Sequence, residues 1–166
     1  MKPRILVPTI AIAALLVTVF FLAPAPSSDA SAQAAKTTAA AAAPTPIEVY
    51  KTPTCGCCGK WVEHMKAQGF APTVHDLPDL SAVRAKHGVP AHLQSCHTAL
   101  VSGYLVEGHV PADVIRQLLK EKPKVAGITV PGMPMGSPGM EQGGMKDPYD
   151  VLTFDRAGNT KVFARR

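Results

Sequence analysis

Four cysteines stand in two places, Cys55, Cys57 and Cys58 in one Cys-Gly-Cys-Cys run and Cys96 well downstream beside His97. Such a set can form structural disulfides, exchange electrons as a dithiol, or bind a soft metal. An even cysteine count in an exported chain favours the first. Against it, a bond between the adjacent Cys57 and Cys58 is strained, and a chain with 46% hydrophobic residues has little need of staples. Cys55 and Cys58 have C-x-x-C spacing, with Cys55 as candidate attacking thiol and Cys58 as resolving thiol. The pairings expected are Cys55 with Cys58, or one of these with Cys96. C-x-C-C is not the paired spacing of structural zinc sites.

Methionine adds a second set of soft donors. Met65, at helical spacing from Trp61, reads as core. Met133, Met135, Met140 and Met145 instead cluster in a Gly/Pro-rich segment where helical packing is unavailable. There they either cover an apolar patch or supply thioether sulfur, which binds Cu(I) without being lost to disulfide formation. A Cys, His and Met collection favours copper over zinc or magnesium. His97, next to Cys96, is the candidate imidazole ligand; His64 and His87 read as solvated, and His75, His92 and His109 stay open.

The elements that position these residues follow from periodicity. Ile47 to Tyr50 alternates like a strand, and Pro53 and Gly56 end it just before the cysteines. Trp61, Val62, Met65 and Phe70 approximate one helical face ending near Gly69, followed by a strand over Thr73 to Leu77. Asp79 or Ser81 caps a second helix to about His87, with Gly88 as its stop. Thr98 to Val101 and Tyr104 to Glu107 form a hairpin about Ser102-Gly103, and a helix with Pro111 in its first turn buries Val114, Ile115, Leu118 and Leu119. A long irregular loop from Val130 and a hairpin, Val151 to Phe154 with Thr160 to Phe163, complete the chain. The order β-α-β-α-β-β-α, with thiols between the first strand and first helix, is similar to the thioredoxin-like α/β fold: a central mixed sheet with flanking helices, here with an added Met-rich loop and C-terminal hairpin. In that arrangement the helix N-terminus favours thiolate.

Lys2 and Arg4, an apolar run from Ile5 to Ala23, and Ala30-Ser31-Ala32 have the order of a secretory signal. Residues 1–32 are thus expected to be a cleaved signal peptide, or an N-terminal anchor if cleavage fails, since the run is nearly long enough to span a bilayer. Residues 33–46, rich in Ala, Thr and Pro, read as a flexible linker, and 47–166 as one metal-binding domain. The expected location is the periplasm, with a membrane association only if the N-terminal segment is retained. The net charge of +5 is spread along the chain without a basic cluster interleaved with aromatics, so nucleic acid is a poor partner.

Four segments together carry a specific resemblance: Thr54-Cys55-Gly56-Cys57-Cys58-Gly59-Lys60-Trp61, Ser95-Cys96-His97-Thr98-Ala99-Leu100-Val101, Glu107-Gly108-His109-Val110-Pro111, and Val130-Pro131-Gly132-Met133-Pro134 with Ser137-Pro138-Gly139-Met140. They resemble the CopG-type periplasmic copper-resistance proteins over Val49 to Phe163. The resemblance implies a thioredoxin-like domain whose Cys55, Cys57, Cys58 and Cys96 assemble a copper site, multinuclear if thiolates bridge, with His97, Met133 and Met135 as further ligands. Copper ions are the expected partner, with periplasmic copper carriers or efflux components as candidates for giving or receiving them. Three functions compete: Cu(I) binding in copper tolerance with copper/thiol redox exchange, thiol–disulfide oxidoreduction through Cys55/Cys58, and, without catalysis, a disulfide-stabilised module that binds a partner. An oxidoreductase of this fold keeps a cis-proline before the strand that faces the thiols. Here Cys96-His97 precedes Thr98, which suits metal better than peptide.

Overall fold

The computed structural model describes residues 43–166; the expected signal segment and most of the expected linker lie outside the described residues. Strands β1 (Thr45–Lys51), β2 (Phe70–Asp76), β3 (Thr98–Val101), β4 (Tyr104–Glu107), β5 (Gly127–Thr129), β6 (Asp150–Phe154) and β7 (Thr160–Arg165) form one sheet in the order β2-β1-β3-β4-β5-β6-β7. Helices α1 (Gly56–Ala67), α2 (Ser81–His87) and α3 (Ala112–Glu121) connect them, with a short 3-10 turn at Ala91–Leu93. The sheet is mixed: β1 runs parallel to β2 and antiparallel to β3, and β4 runs parallel to β5. This is the expected α/β architecture, and it is compatible with a thioredoxin-like core extended by three strands.

Alternation along the strands divides the core into two layers. Val106 joins Trp61, Val62 and Met65 of α1 and Val114, Ile115 and Leu118 of α3 on one face. Its neighbour Leu105 points into a smaller cluster with Val89, Leu93 and Phe154, where the segment after α2 covers the other face. The α3 stripe fits the expected spacing, except that Leu119 is only partly buried. Asp79 does cap α2 without being its N-cap residue: its carboxylate accepts the Ser81 N–H at 3.1 Å and the Ser81 hydroxyl at 2.9 Å. Gly88, at φ 69°, ends that helix in a left-handed turn.

Three expectations need correction. Phe70 belongs not to the face of α1 but to the start of β2, which begins three residues before the expected Thr73 because Phe70 pairs with Thr45. By the same pairing β1 starts at Thr45, inside the segment that reads as linker. The sequence reading also missed β5, whose three residues are all buried and so show no alternation. The hairpin of β6 and β7 extends the sheet through β5, with Ile128 opposite Thr153.

Burial of β5 gives a direct check. Ile128→Ala, at a fully enclosed site, is expected to cost about 2–5 kcal/mol in urea unfolding, whereas Val162→Ala on the outer strand β7 should stay near ~0.5 kcal/mol.

Candidate metal centre

The thiols meet because β1 and β3 are antiparallel neighbours: the end of β1 leads into the Cys55 turn, and the residues before β3 are Cys96 and His97. Cys55 is the N-cap residue of α1, so Cys57 and Cys58 occupy its first turn. No acidic side chain lies in that turn and no side chain caps it. The free N–H groups and partial positive charge there favour anionic sulfur.

Cys55 and Cys58 are joined in a disulfide with Cα atoms 5.3 Å apart, while Cys57 and Cys96 are free thiols. The Cys55 and Cys57 sulfurs are 3.6 Å apart, and the Cys58 sulfur lies 3.7 Å from the Cys96 carbonyl oxygen. The donor atoms of Cys55, Cys57, Cys58 and Cys96 all fall within 4.8 Å of one another. Those of Cys96, His97 and His109 form a second such group, so Cys96 is common to both.

His109 is the ligand candidate that sequence reasoning left undecided. Its Nδ1 lies 2.8 Å from the Pro138 carbonyl, which can only accept, so Nδ1 carries the proton. Nε2 therefore presents its lone pair, and it lies 2.9 Å from the Cys96 sulfur, accepting the thiol proton. A carbonyl behind the imidazole that fixes the tautomer is a common support for a metal-binding histidine. The available signal was the Gly108-His109-Val110-Pro111 run; what it could not convey was the turn at Gly108, φ 73°, that brings the ring back to Cys96.

His97 is fully buried, its ring centroid 4.3 Å from that of Trp61 and 5.2 Å from that of His109, edge-on. Its Nδ1 is 3.6 Å from the Cys96 sulfur and its Nε2 has no hydrogen-bond partner among the described residues. Burial pushes His97 down to about 3 and lowers His109, so both rings are neutral near pH 7, the form that coordinates metals. Burial also raises the Cys96 thiol to about 11. Without a cation it holds its proton; a bound cation displaces it.

The segment around Cys96 is held from behind. Buried Glu107 accepts the Ser95 N–H at 3.2 Å and lies 3.7 Å from the Arg84 guanidinium, which donates to the Ser95 carbonyl and to the Thr98 hydroxyl. Burial raises the Glu107 carboxyl to about 7, with the Thr98 and Ser95 hydrogen bonds and Arg84 opposing that rise. Trp61 donates from Nε1 to the Val110 carbonyl at 2.9 Å, tying α1 to the bend after β4 that carries His109.

The Met-rich loop is irregular, as expected, and closes one side of the centre. Ser137, Pro138 and Gly139 are buried. Met133 and Met140 border one cavity of 310 Å³ with Cys57. Met135 borders a different cavity with Tyr149 and Arg166, so the loop brings Met140 rather than Met135 to the Cys57 side. Met145 is exposed. Of the other histidines, His75 pairs with Glu48 on the surface and His87 borders a cavity with Arg156.

A family model described as "Protein of unknown function, DUF411" matches residues 93–140. Two solved structures, forms 1 and 2 of copper resistance protein CopG, are each 46% identical, with TM-scores of 0.70, covering 74% of this chain and 98% of theirs. The chain belongs to the CopG family. No curated protein matches it. The family model spans Cys96, His97, His109, Met133 and Met140, and the solved relatives extend over most of the described fold.

Close packing of the loop on α1 generates a prediction. A Cβ on Gly139, at φ 88°, would lie 2.6 Å from the Cys57 carbonyl oxygen and 2.9 Å from the Trp61 nitrogen, both backbone; on Gly103, at φ 87°, it would meet nothing within 4 Å. Both Ala variants carry the left-handed backbone strain of about 1–2 kcal/mol, but only Gly139→Ala must also displace the loop. Gly139→Ala is expected to unfold at lower urea than Gly103→Ala and to change metal affinity, as read by denaturation and titration.

Proposed function

We propose that the reduced chain binds Cu(I) at this centre in the service of copper tolerance, outside the cytoplasm. The observation that carries the reading is the shared donor group: four sulfurs within 4.8 Å, joined through Cys96 to two imidazoles, with no carboxylate among them. That is a soft to borderline set, matched to Cu(I). The Gly-Cys-Cys turn supplies thiols at a helix N-terminus, Cys96 bridges towards His109 and His97, and the neutral rings complete the set. Membership in the family of a copper resistance protein supports the same reading.

The disulfide adds a redox step. Two Cu(II) ions would each take one electron from the Cys55/Cys58 dithiol; the S–S bond forms, two protons are released and two Cu(I) remain. Reduction of the bond by an external thiol restores all four sulfurs. The signal-like residues 1–32 support export to the periplasm, followed by cleavage or tethering, with the linker ahead of one metal-binding domain over 47–166. Carriers that bring copper and efflux components that remove it are the partners this chemistry calls for.

Competitive titration tests the reading. Reduced protein is expected to hold Cu(I) against a Cu(I) chelator and to prefer it to Zn(II), and Cys96→Ser should weaken binding as severely as Cys58→Ser. Equal or tighter zinc binding, or an unchanged Cys96→Ser variant, contradicts it.

A second reading, thiol–disulfide oxidoreductase, is favoured by the Cys55–Cys58 bond at a helix N-terminus. Opposing it, the position beside the thiols where peptide would dock is filled by Cys96 and His97, and Gly139 packs against the Cys57 backbone. Weak insulin reduction and a clear change in free thiols on adding Cu(II) are expected. Thioredoxin-like insulin rates would favour the second reading.

A further inference from the structure

We propose that Met133 and Met140 form the entry port through which Cu(I) reaches the thiols, acting as transient donors and not as resident ligands. The proposal rests on the Cu(I)-binding reading above and names how the ion arrives.

Access to the centre is uneven. Cys58, His97 and His109 are fully buried, with Pro138 behind His109. Cys57 and Cys96 are both partly accessible free thiols, and of the two it is Cys57 that borders the 310 Å³ cavity. The same cavity is bordered by Met133, which is 55% exposed, and by the half-buried Met140. An ion entering there meets an exposed thioether, a less exposed thioether, and then the Cys57 sulfur, which is 3.6 Å from that of Cys55.

The chemistry of the walls fits passage and not storage. Thioethers are soft but neutral and weak, so they accept Cu(I) and yield it to thiolate by ligand exchange, with no change of oxidation state. The cavity's two charged residues, Lys60 and Glu141, have opposite signs, and the Glu141 carboxylate already accepts the Gly139 N–H at 2.9 Å. The mouth thus offers little net attraction to a hard divalent cation, and selection falls to the sulfurs. Met135, which borders the separate cavity beside Tyr149, is the internal control.

Stopped-flow loading of the reduced full chain from the Cu(I)–bicinchoninate complex tests the port, with protein in the range where the rate rises with its concentration. Met→Leu keeps side-chain volume nearly constant, and equilibrium binding in the same samples reports that the centre is intact. The Met133→Leu/Met140→Leu double variant is expected to load about tenfold more slowly, with final stoichiometry and affinity unchanged, and Met135→Leu at the rate of the unaltered chain. Equal rates for the double variant and the unaltered chain overturn the port, as does an equal slowing by Met135→Leu. Reduced stoichiometry or affinity in the double variant also overturns it, by making the thioethers resident ligands. If the unaltered chain takes up no Cu(I), the copper reading itself falls and the port with it.

Discussion

The antiparallel pairing of β1 with β3 is the constraint on which the candidate metal centre depends. Glu48 faces Leu100, Val49 faces Ala99 and Tyr50 faces Thr98, so the turn leaving β1 and the segment entering β3 lie at the same edge of the sheet. A cysteine run on one side and a Cys-His pair on the other are thereby brought within ligand distance although far apart in sequence. The pairing is itself secured by the two packed layers: Val49 and Ala99 are wholly enclosed, and a one-residue slip would turn both away from α1 and α3. Register in the core and geometry at the thiols are one property.

Second to that constraint is the burial of polar groups around Cys96. Arg84 and Glu107 satisfy the backbone on one side of the thiol, and the Pro138 carbonyl sets the tautomer of His109 on the other. These contacts order the donor atoms before any ion arrives, so that binding one would not have to fix them. The Gly/Pro composition of the 130–145 loop has the same purpose. Gly139 lets backbone approach backbone at Cys57 and Trp61, closer than any side chain would permit. The loop thus shields the centre on one side while leaving the Cys57 cavity accessible.

Much of this was legible in the sequence because it rests on local signals. The alternation of β1, the α3 stripe, the Ser102-Gly103 turn and the Gly88 stop each depend on neighbouring residues, and each lies where expected. The candidacy of the four cysteines and His97 likewise rests on local sequence. What stayed hidden depends on contacts between distant segments. Strand β5 is enclosed on both sides and carries no pattern; Phe70 has helical spacing yet pairs with Thr45; His109 acquires its place beside Cys96 only through Gly108 and Pro138. The choice between Met135 and Met140 follows the path of a loop whose turns no periodicity describes.

Whether sulfur and imidazole from these segments hold one copper centre is measured directly by copper K-edge X-ray absorption on the reduced, Cu(I)-loaded chain, beside the same measurement on His109→Ala. The expected result is an edge characteristic of Cu(I) with sulfur dominating the nearest shell and a minor nitrogen contribution that falls in His109→Ala. A nearest shell of nitrogen and oxygen without sulfur would contradict it.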